Sequence, residues 1–167
     1  FANESLTAQQ IASNSISLDR LAVRAVATNV LVGGIARSLP ITNAFSVAPP
    51  TIDFEYLLTN LTVTIQTRGN PVVLMPVVFD TSATTAFQVA RSSAPTGLHV
   101  HYYRNGVKVV DIDHKDAGTL LLTSPSPFRH IDFPPAGTNK YEIRVSASVG
   151  GTTSISVQNI QLVAYEL

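Results

Sequence analysis

The 167-residue chain has no cysteine, no tryptophan, a single methionine and only 13% charged residues. Without cysteine there is no disulfide framework, thiolate zinc site, iron–sulfur cluster or thiol nucleophile, so stability has to come from burial. Eleven Lys and Arg balance eleven Asp and Glu, giving a formal charge of zero. Sequence-independent nucleic-acid binding needs clustered cations to displace counterions, and this balance supplies none. Long apolar runs are missing too. The longest, Val72 to Phe79, contains Pro76 and falls far short of the ~20 residues of a spanning helix, so it reads as a buried strand and no membrane insertion is expected. Charged residues run at about half the usual ~25%, while Ser, Thr and Val abound. That suits a β protein with hydroxyl-rich surfaces, or one with much surface hidden in an oligomer. Phe1 is not an initiator Met, as expected of a fragment or processed product.

Residues 1–40 are patterned unlike the rest. Apolar residues recur at every fifth position, at Leu6, Ile11, Ile16, Leu21, Val26 and Leu31, a spacing that fits neither a lone helix nor a strand. Thr7 to Gln10 resembles a capping box, and Ser17 is placed to cap a short helix through Leu18, Leu21, Ala22 and Ala25. Neither piece is long or apolar enough to fold alone. The stripe is therefore expected to pack against copies of itself around a symmetry axis, the alternative being one amphipathic helix packed on the domain. Residues 41–167 form the second expected unit, after the punctuation of Gly33-Gly34 and Pro40.

From there the pattern turns to short alternating runs. Strands are expected at Ile52–Leu57, Leu61–Thr67, Val72–Phe79, Phe87–Arg91, Leu98–Arg104, Val107–Ile112, Thr119–Thr123, Ile131–Phe133, Tyr141–Val149, Ile155–Val157 and Ile160–Leu167, with no helix competing. Asn105-Gly106 supplies the positive φ angles of a type I′ turn, which pairs Arg104 with Val107, Tyr103 with Lys108 and Tyr102 with Val109. Leu98, Val100, Tyr102, Val107 and Val109 then face the core, and His99, His101, Tyr103 and Lys108 face away. Gly150-Gly151 reads as another hairpin loop, and Pro49-Pro50 and Pro134-Pro135 as strand boundaries. The fold class is mainly β, an antiparallel, jelly-roll-like sandwich head preceded by a short helical or irregular shaft.

Chemistry-bearing residues are sparse. Asp111, Asp113, His114 and Asp116 superficially resemble a calcium loop, but the third carboxylate falls one place late and the twelfth position is Leu122, so a plain polar loop is favoured. His99 and His101 share one strand face and could contribute a metal pair on a symmetry axis. Exposed His and Tyr alternating with buried Val is the simpler account, and no resident metal or cofactor is expected. There is no G-x-S-x-G, H-E-x-x-H, P-loop or G-x-G-x-x-G, and no Ser-His-Asp arrangement is legible. With only four Glu residues, Glu4 and Glu166 among them near the chain ends, no enzyme is expected. What remains is a binding surface, for which Arg91, Tyr103, Arg104, Phe128, Arg129 and His130 are candidates because they fall in or near loops and turns. For Phe128 the alternative is a plug at the end of the sandwich.

Four segments together resemble the C-terminal β-sandwich heads of bacteriophage tail fibres and tail-tip proteins. They are Thr62 to Leu74, the hairpin Tyr103 to Val107, Asp132 to Val145 and Asn159 to Leu167, in matching order. Ile11 to Ala22 looks like the repetitive shaft that precedes such heads. Asn139-Lys140 departs from the more usual strand entry after the Pro-Pro-Ala-Gly corner, and no collagen-like repeat precedes the head. The resemblance implies a homotrimeric, extracellular virion component. Its N-terminal segment would join other tail or virion proteins, and its head would bind host polysaccharide or an outer-membrane protein. A capsid fibre, decoration or collar protein with no host contact is the alternative.

Overall fold

A computed structural model describes residues 34–42, 45–47, 54–78, 86–147 and 153–167. The stripe residues Leu6, Ile11, Ile16, Leu21, Val26 and Leu31 lie outside them, as do the expected caps at Thr7 and Ser17, Pro49-Pro50 and Gly150-Gly151. The chain divides into two compact units, Phe1–Val32 and Gly33–Leu167. The second already includes a strand at residues 35–37, so the β unit begins before residue 41.

Twelve strands make up the described fold: β1 (Ile35–Arg37), β2 (Phe45–Val47), β3 (Tyr56–Thr67), β4 (Val72–Val78), β5 (Phe87–Arg91), β6 (Thr96–Arg104), β7 (Val107–Asp116), β8 (Leu120–Thr123), β9 (His130–Asp132), β10 (Gly137–Ala147), β11 (Thr153–Val157) and β12 (Ile160–Glu166). They form three antiparallel sheets, ordered β1-β12-β4-β9, β3-β10-β6-β7 and β2-β11-β5-β8. The third sheet repeats the first strand for strand. Each of its members lies next in sequence to the corresponding member of the first, β2 after β1, β11 before β12, β5 after β4 and β8 before β9. The two are thus successive halves of one layer, broken at Gln158-Asn159, where Asn159 has φ 52°, and at the 3-10 turn Ser126–Phe128. Treating them as one leaves eight long strands in the orders first-eighth-third-sixth and second-seventh-fourth-fifth, the double-sheet jelly roll.

Alternation builds the core. Leu61, Val63 and Ile65 of β3, Leu98, Val100 and Tyr102 of β6, Tyr141, Ile143 and Val145 of β10, and Leu162 and Ala164 of β12 point inward and join one buried cluster. Each such aliphatic side chain contributes about 1.5–3 kcal/mol on burial. Phe128 is fully buried and meets Phe87 edge-on at 5.0 Å, while the Tyr102 hydroxyl donates to its carbonyl at 2.6 Å.

Two irregularities correct the expected pattern. The expected strand Leu61–Thr67 starts earlier, at Tyr56, so β3 takes in only the last two residues of the expected strand Ile52–Leu57, whose Ile52 and Asp53 lie outside the described residues. Its register against β10 slips between Glu142 and Arg144, and Leu58 and Leu61 are both buried. In the β6–β7 hairpin, Asn105 (φ 51°) and Gly106 (φ 82°) form the expected turn, and Arg104–Val107 and Tyr103–Lys108 pair as expected. Tyr102, however, pairs with Val110 rather than Val109. Val109 is the extra residue of a bulge, and Val107, expected in the core, is exposed. Residues 113–116, expected as a polar loop after the strand Val107–Ile112, continue β7.

The corner before β10 explains the unusual Asn139. Its side chain is buried, and Nδ2 donates to Thr67 Oγ1 and the Pro135 carbonyl, both at 2.9 Å, and to the Gly137 carbonyl at 3.2 Å. Glu166 Oε1 accepts from the backbone N–H groups of Arg68 and Asn70, which fixes the turn between β3 and β4.

Candidate functional site

The bulge at Val109 decides what the outer face of β3-β10-β6-β7 carries. Without it, His101 and His99 would oppose Val110 and Ile112. With it, they oppose Asp111 and Asp113, and Val110 and Ile112 turn toward the core instead. The sheet thereby lines up His99, His101 and Tyr103 of β6 beside Lys108, Asp111, Asp113 and Lys115 of β7, and Lys140, Glu142 and Arg144 of β10.

Glu55, just before β3, closes over the middle of this face. Its carboxylate accepts from the Tyr103 hydroxyl and from Lys108 Nζ, each at 2.5 Å, with His101 Nε2 at 3.7 Å and Arg144 Nη1 at 3.9 Å. The Arg144 guanidinium lies 4.0 Å from the Tyr103 ring centroid, a cation–π stack. Burial alone would raise the Glu55 pKa, but the Lys108 and Tyr103 hydrogen bonds and the nearby cations prevail and lower it. Tyr103 is raised by desolvation and by its bond to Glu55, and Lys108 is raised chiefly by that same carboxylate. Four cations, Lys108, Lys115, Lys140 and Arg144, share the face with four carboxylates, Glu55, Asp111, Asp113 and Glu142. It is charged in detail and neutral in sum.

His101 was expected to face solvent and is instead 3% exposed. Its ring stacks on His99 at 5.6 Å, Nε2 is 2.8 Å from Ser146 Oγ, and Nδ1 is 3.2 Å from Asp111 Oδ1. Desolvation lowers its pKa against the opposing pull of Asp111 and Glu55, so it is held neutral. Ser146, His101 and Asp111 thus form a serine–histidine–carboxylate string that local sequence motifs do not reveal, because its members come from three strands. The string lacks the parts of a nucleophilic site. Ser146 is fully buried in a paired strand, and His101 Nδ1 makes no well-aligned hydrogen bond. His99 Nδ1 lies 3.0 Å from Asp111 Oδ1 and 3.8 Å from Asp113 Oδ1. Among the described residues, no group of three or more His, Asp or Glu side chains is arranged to hold a metal ion.

The six expected binding residues do not form one patch. Tyr103 is in the Glu55 cluster. Arg104, its neighbour, points the other way and donates to Asp132 Oδ2 at 2.6 Å, an oxygen that also accepts from the Tyr141 hydroxyl at 2.7 Å. Phe128 is core, which removes it from any exposed binding set and matches the plug alternative. Arg129 is exposed and bonds back to Ser126, and His130 stacks 6.2 Å from Tyr102 with its pKa lowered by burial. Arg91 ends β5, with Nε and Nη1 buried and unpartnered. Sequence reasoning missed Glu55, Arg144 and Ser146. The only local signal was the Val109-Val110 doublet, which breaks the alternation where the bulge sits.

No family model and no curated protein matches the chain. Among solved structures, one of infectious bursal disease virus Gt strain is 14% identical with a TM-score of 0.36, covering 80% of this chain and 37% of that one. This chain therefore spans little more than a third of that protein's length. A xylan-binding domain from Paenibacillus barcinonensis is 11% identical with a TM-score of 0.31, covering 81% of this chain and 97% of that one. The enzymatically active domain of a bacteriophage CBA120 tailspike is 14% identical with a TM-score of 0.21, covering 84% and 20%. Overlaps this loose say nothing of what the chain does. Its architecture rests on its own strand order, an antiparallel jelly-roll sandwich.

Proposed function

We propose that this chain is a structural and adhesive virion component, the head of a homotrimeric phage tail fibre or spike that binds the host cell surface. The four segments that resemble tail-fibre heads support this. They fold as β3–β4, the β6–β7 turn, β9–β10 and β12, the strands that hold the first two sheets together. The observation that carries the adhesive part is the outer face of β3-β10-β6-β7. It offers the Tyr103–Arg144 stack and exposed Thr64, Gln66, Lys108, Asp111, Asp113 and Lys140, groups that meet the hydroxyls of a saccharide or the polar rim of a protein. The partners of this reading are other copies of the chain, other virion proteins through the N-terminal segment, and host polysaccharide or an outer-membrane protein. Its location is the extracellular virion.

Fluorescently labelled full-length protein should bind susceptible cells, and Arg144→Ala with Lys140→Ala should weaken that binding. Equal signal on receptor-deficient cells would count against the reading. The capsid fibre, decoration or collar reading is favoured by one observation: most charges on this face already pair with each other, which leaves few for a ligand. Binding to assembled particles but to no cell would select it. Neither reading involves catalysis. Incubation with host glycan should release no new reducing ends, and a serine-reactive fluorophosphonate should leave Ser146 unlabelled.

A further inference from the structure

The outer face of β1-β12-β4-β9 is unlike its counterpart. Ile35, Tyr165, Val73 and Ile131 are paired in one row across all four strands and alternate outward. The next row is Arg37, Val163 and Met75, and the next Gln161 and Val77. These nine positions include one cation and no carboxylate. Ile35, Ile131 and the flanking Phe133 and Leu167 are 70%, 48%, 74% and 63% exposed. Between β4, β9 and β12 lies an open hollow of about 460 Å³ lined by Val73, Arg129, His130, Ile131, Tyr165 and Leu167.

We infer that this region packs against the neighbouring copy of the chain, the exposed Phe133 of one copy meeting the hollow of the next. The inference rests on the homotrimer reading and adds to it a second contact, in the β unit. Two observations favour a copy over another occupant. A surface with no carboxylate and one guanidinium in its rows has no charge pattern to complement, so its partner must itself be apolar. The chain supplies both an exposed aromatic knob and an apolar hollow beside it, which makes the region self-complementary. The sheet alone is not enough: strands of three, seven, seven and three residues at ~4.8 Å spacing and ~3.3 Å rise give roughly 320 Å² per copy, so the exposed Phe133 and Leu167 beyond the edge must supply the rest of the ~1,000 Å² of a stable contact. A saccharide would find few hydrogen-bonding groups here beyond Tyr165, Gln161 and the two guanidiniums.

The absence of cysteine makes the test direct, since any introduced thiol is unique. Full-length Ile131→Cys and Phe133→Cys proteins, oxidised under mild conditions, should give disulfide-linked dimers, while Thr64→Cys on the opposite face should not. In light scattering, wild type should be oligomeric and Val73→Lys with Ile131→Lys should lose mass, with circular dichroism confirming the fold. If wild type is oligomeric but the double variant keeps its mass and Ile131→Cys cross-links no better than Thr64→Cys, the face is not the contact and the trimer reading survives. A monomeric wild type at every concentration overturns both.

Discussion

On β10 the outward residues are Lys140, Glu142 and Arg144, and on β12, in the other layer, they are Gln161, Val163 and Tyr165. Both strands are central in their sheets and both bury their alternate residues in the same core. The difference lies wholly in the positions that packing leaves free. On the β10 side those positions hold eight formal charges that cancel within the face, and on the β12 side the same freedom is given to Val, Ile, Met and Tyr. A sandwich needs only one apolar face per sheet. A second one carries a solubility cost, and its presence in a chain that is 13% charged points to surface that spends its time covered.

The largest effect is expected where the two layers are tied together, at the Arg104–Asp132–Tyr141 cluster. Asp132 accepts from both partners and is 8% exposed, so Asp132→Ala should cost about 3–5 kcal/mol in urea unfolding by stranding a half-buried guanidinium. A change below ~1 kcal/mol would mean that the layers are held by apolar packing alone. Next comes the polar face itself. Glu55→Ala removes the common acceptor of Tyr103 and Lys108 and should cost about 1.5–3 kcal/mol, while Glu55→Gln should recover part of it.

Acid should act on both layers at once, through His101 under the polar face and His130 beside the apolar hollow, before it reaches the carboxylates of the polar face. The folded-state pKa values of His101 and His130 lie below the ordinary value of 6.5, chiefly through burial. The unfolded chain therefore takes up these protons first, and stability present above ~pH 6.5 declines as pH falls through the folded values. Glu55 and Glu142, both lowered, continue the loss below 4.5. The melting temperature should fall from pH 7 to pH 5, and His101→Asn should flatten that fall. An unchanged slope in the variant would remove His101 from the account. The smallest effect is expected at the rim, where Lys115→Ala breaks a largely exposed pair with Asp113 and should cost under ~0.5 kcal/mol.

Much of the fold was legible because its signals are local. Asn105-Gly106 specified its turn, the alternation of Leu61, Val63 and Ile65 specified a buried face, and the short runs from Val72 onward marked strands that the structure contains. The polar site was legible only in part. His99, His101 and Tyr103 were placed on one face from spacing, but their burial depends on Glu55, 48 residues from Tyr103, and on a bulge that swaps Val110 and Ile112 for Asp111 and Asp113. Phe128 was ambiguous for the same reason, since a Pro-flanked aromatic reads alike as a loop tip and as a plug until Phe87 is known to lie beside it. The apolar outer face left no separate mark, because in sequence an outward Val of a near-continuous apolar run is indistinguishable from an inward one.

The two-face account is tested most directly by thiol labelling of single-cysteine, full-length proteins. Val73→Cys and Ile131→Cys should react with a maleimide at least about tenfold more slowly than Thr64→Cys, the ratio expected if nine copies in ten have that face covered, and dilution to monomer should abolish the difference. Equal rates at all three positions, in protein that light scattering finds oligomeric, would contradict it.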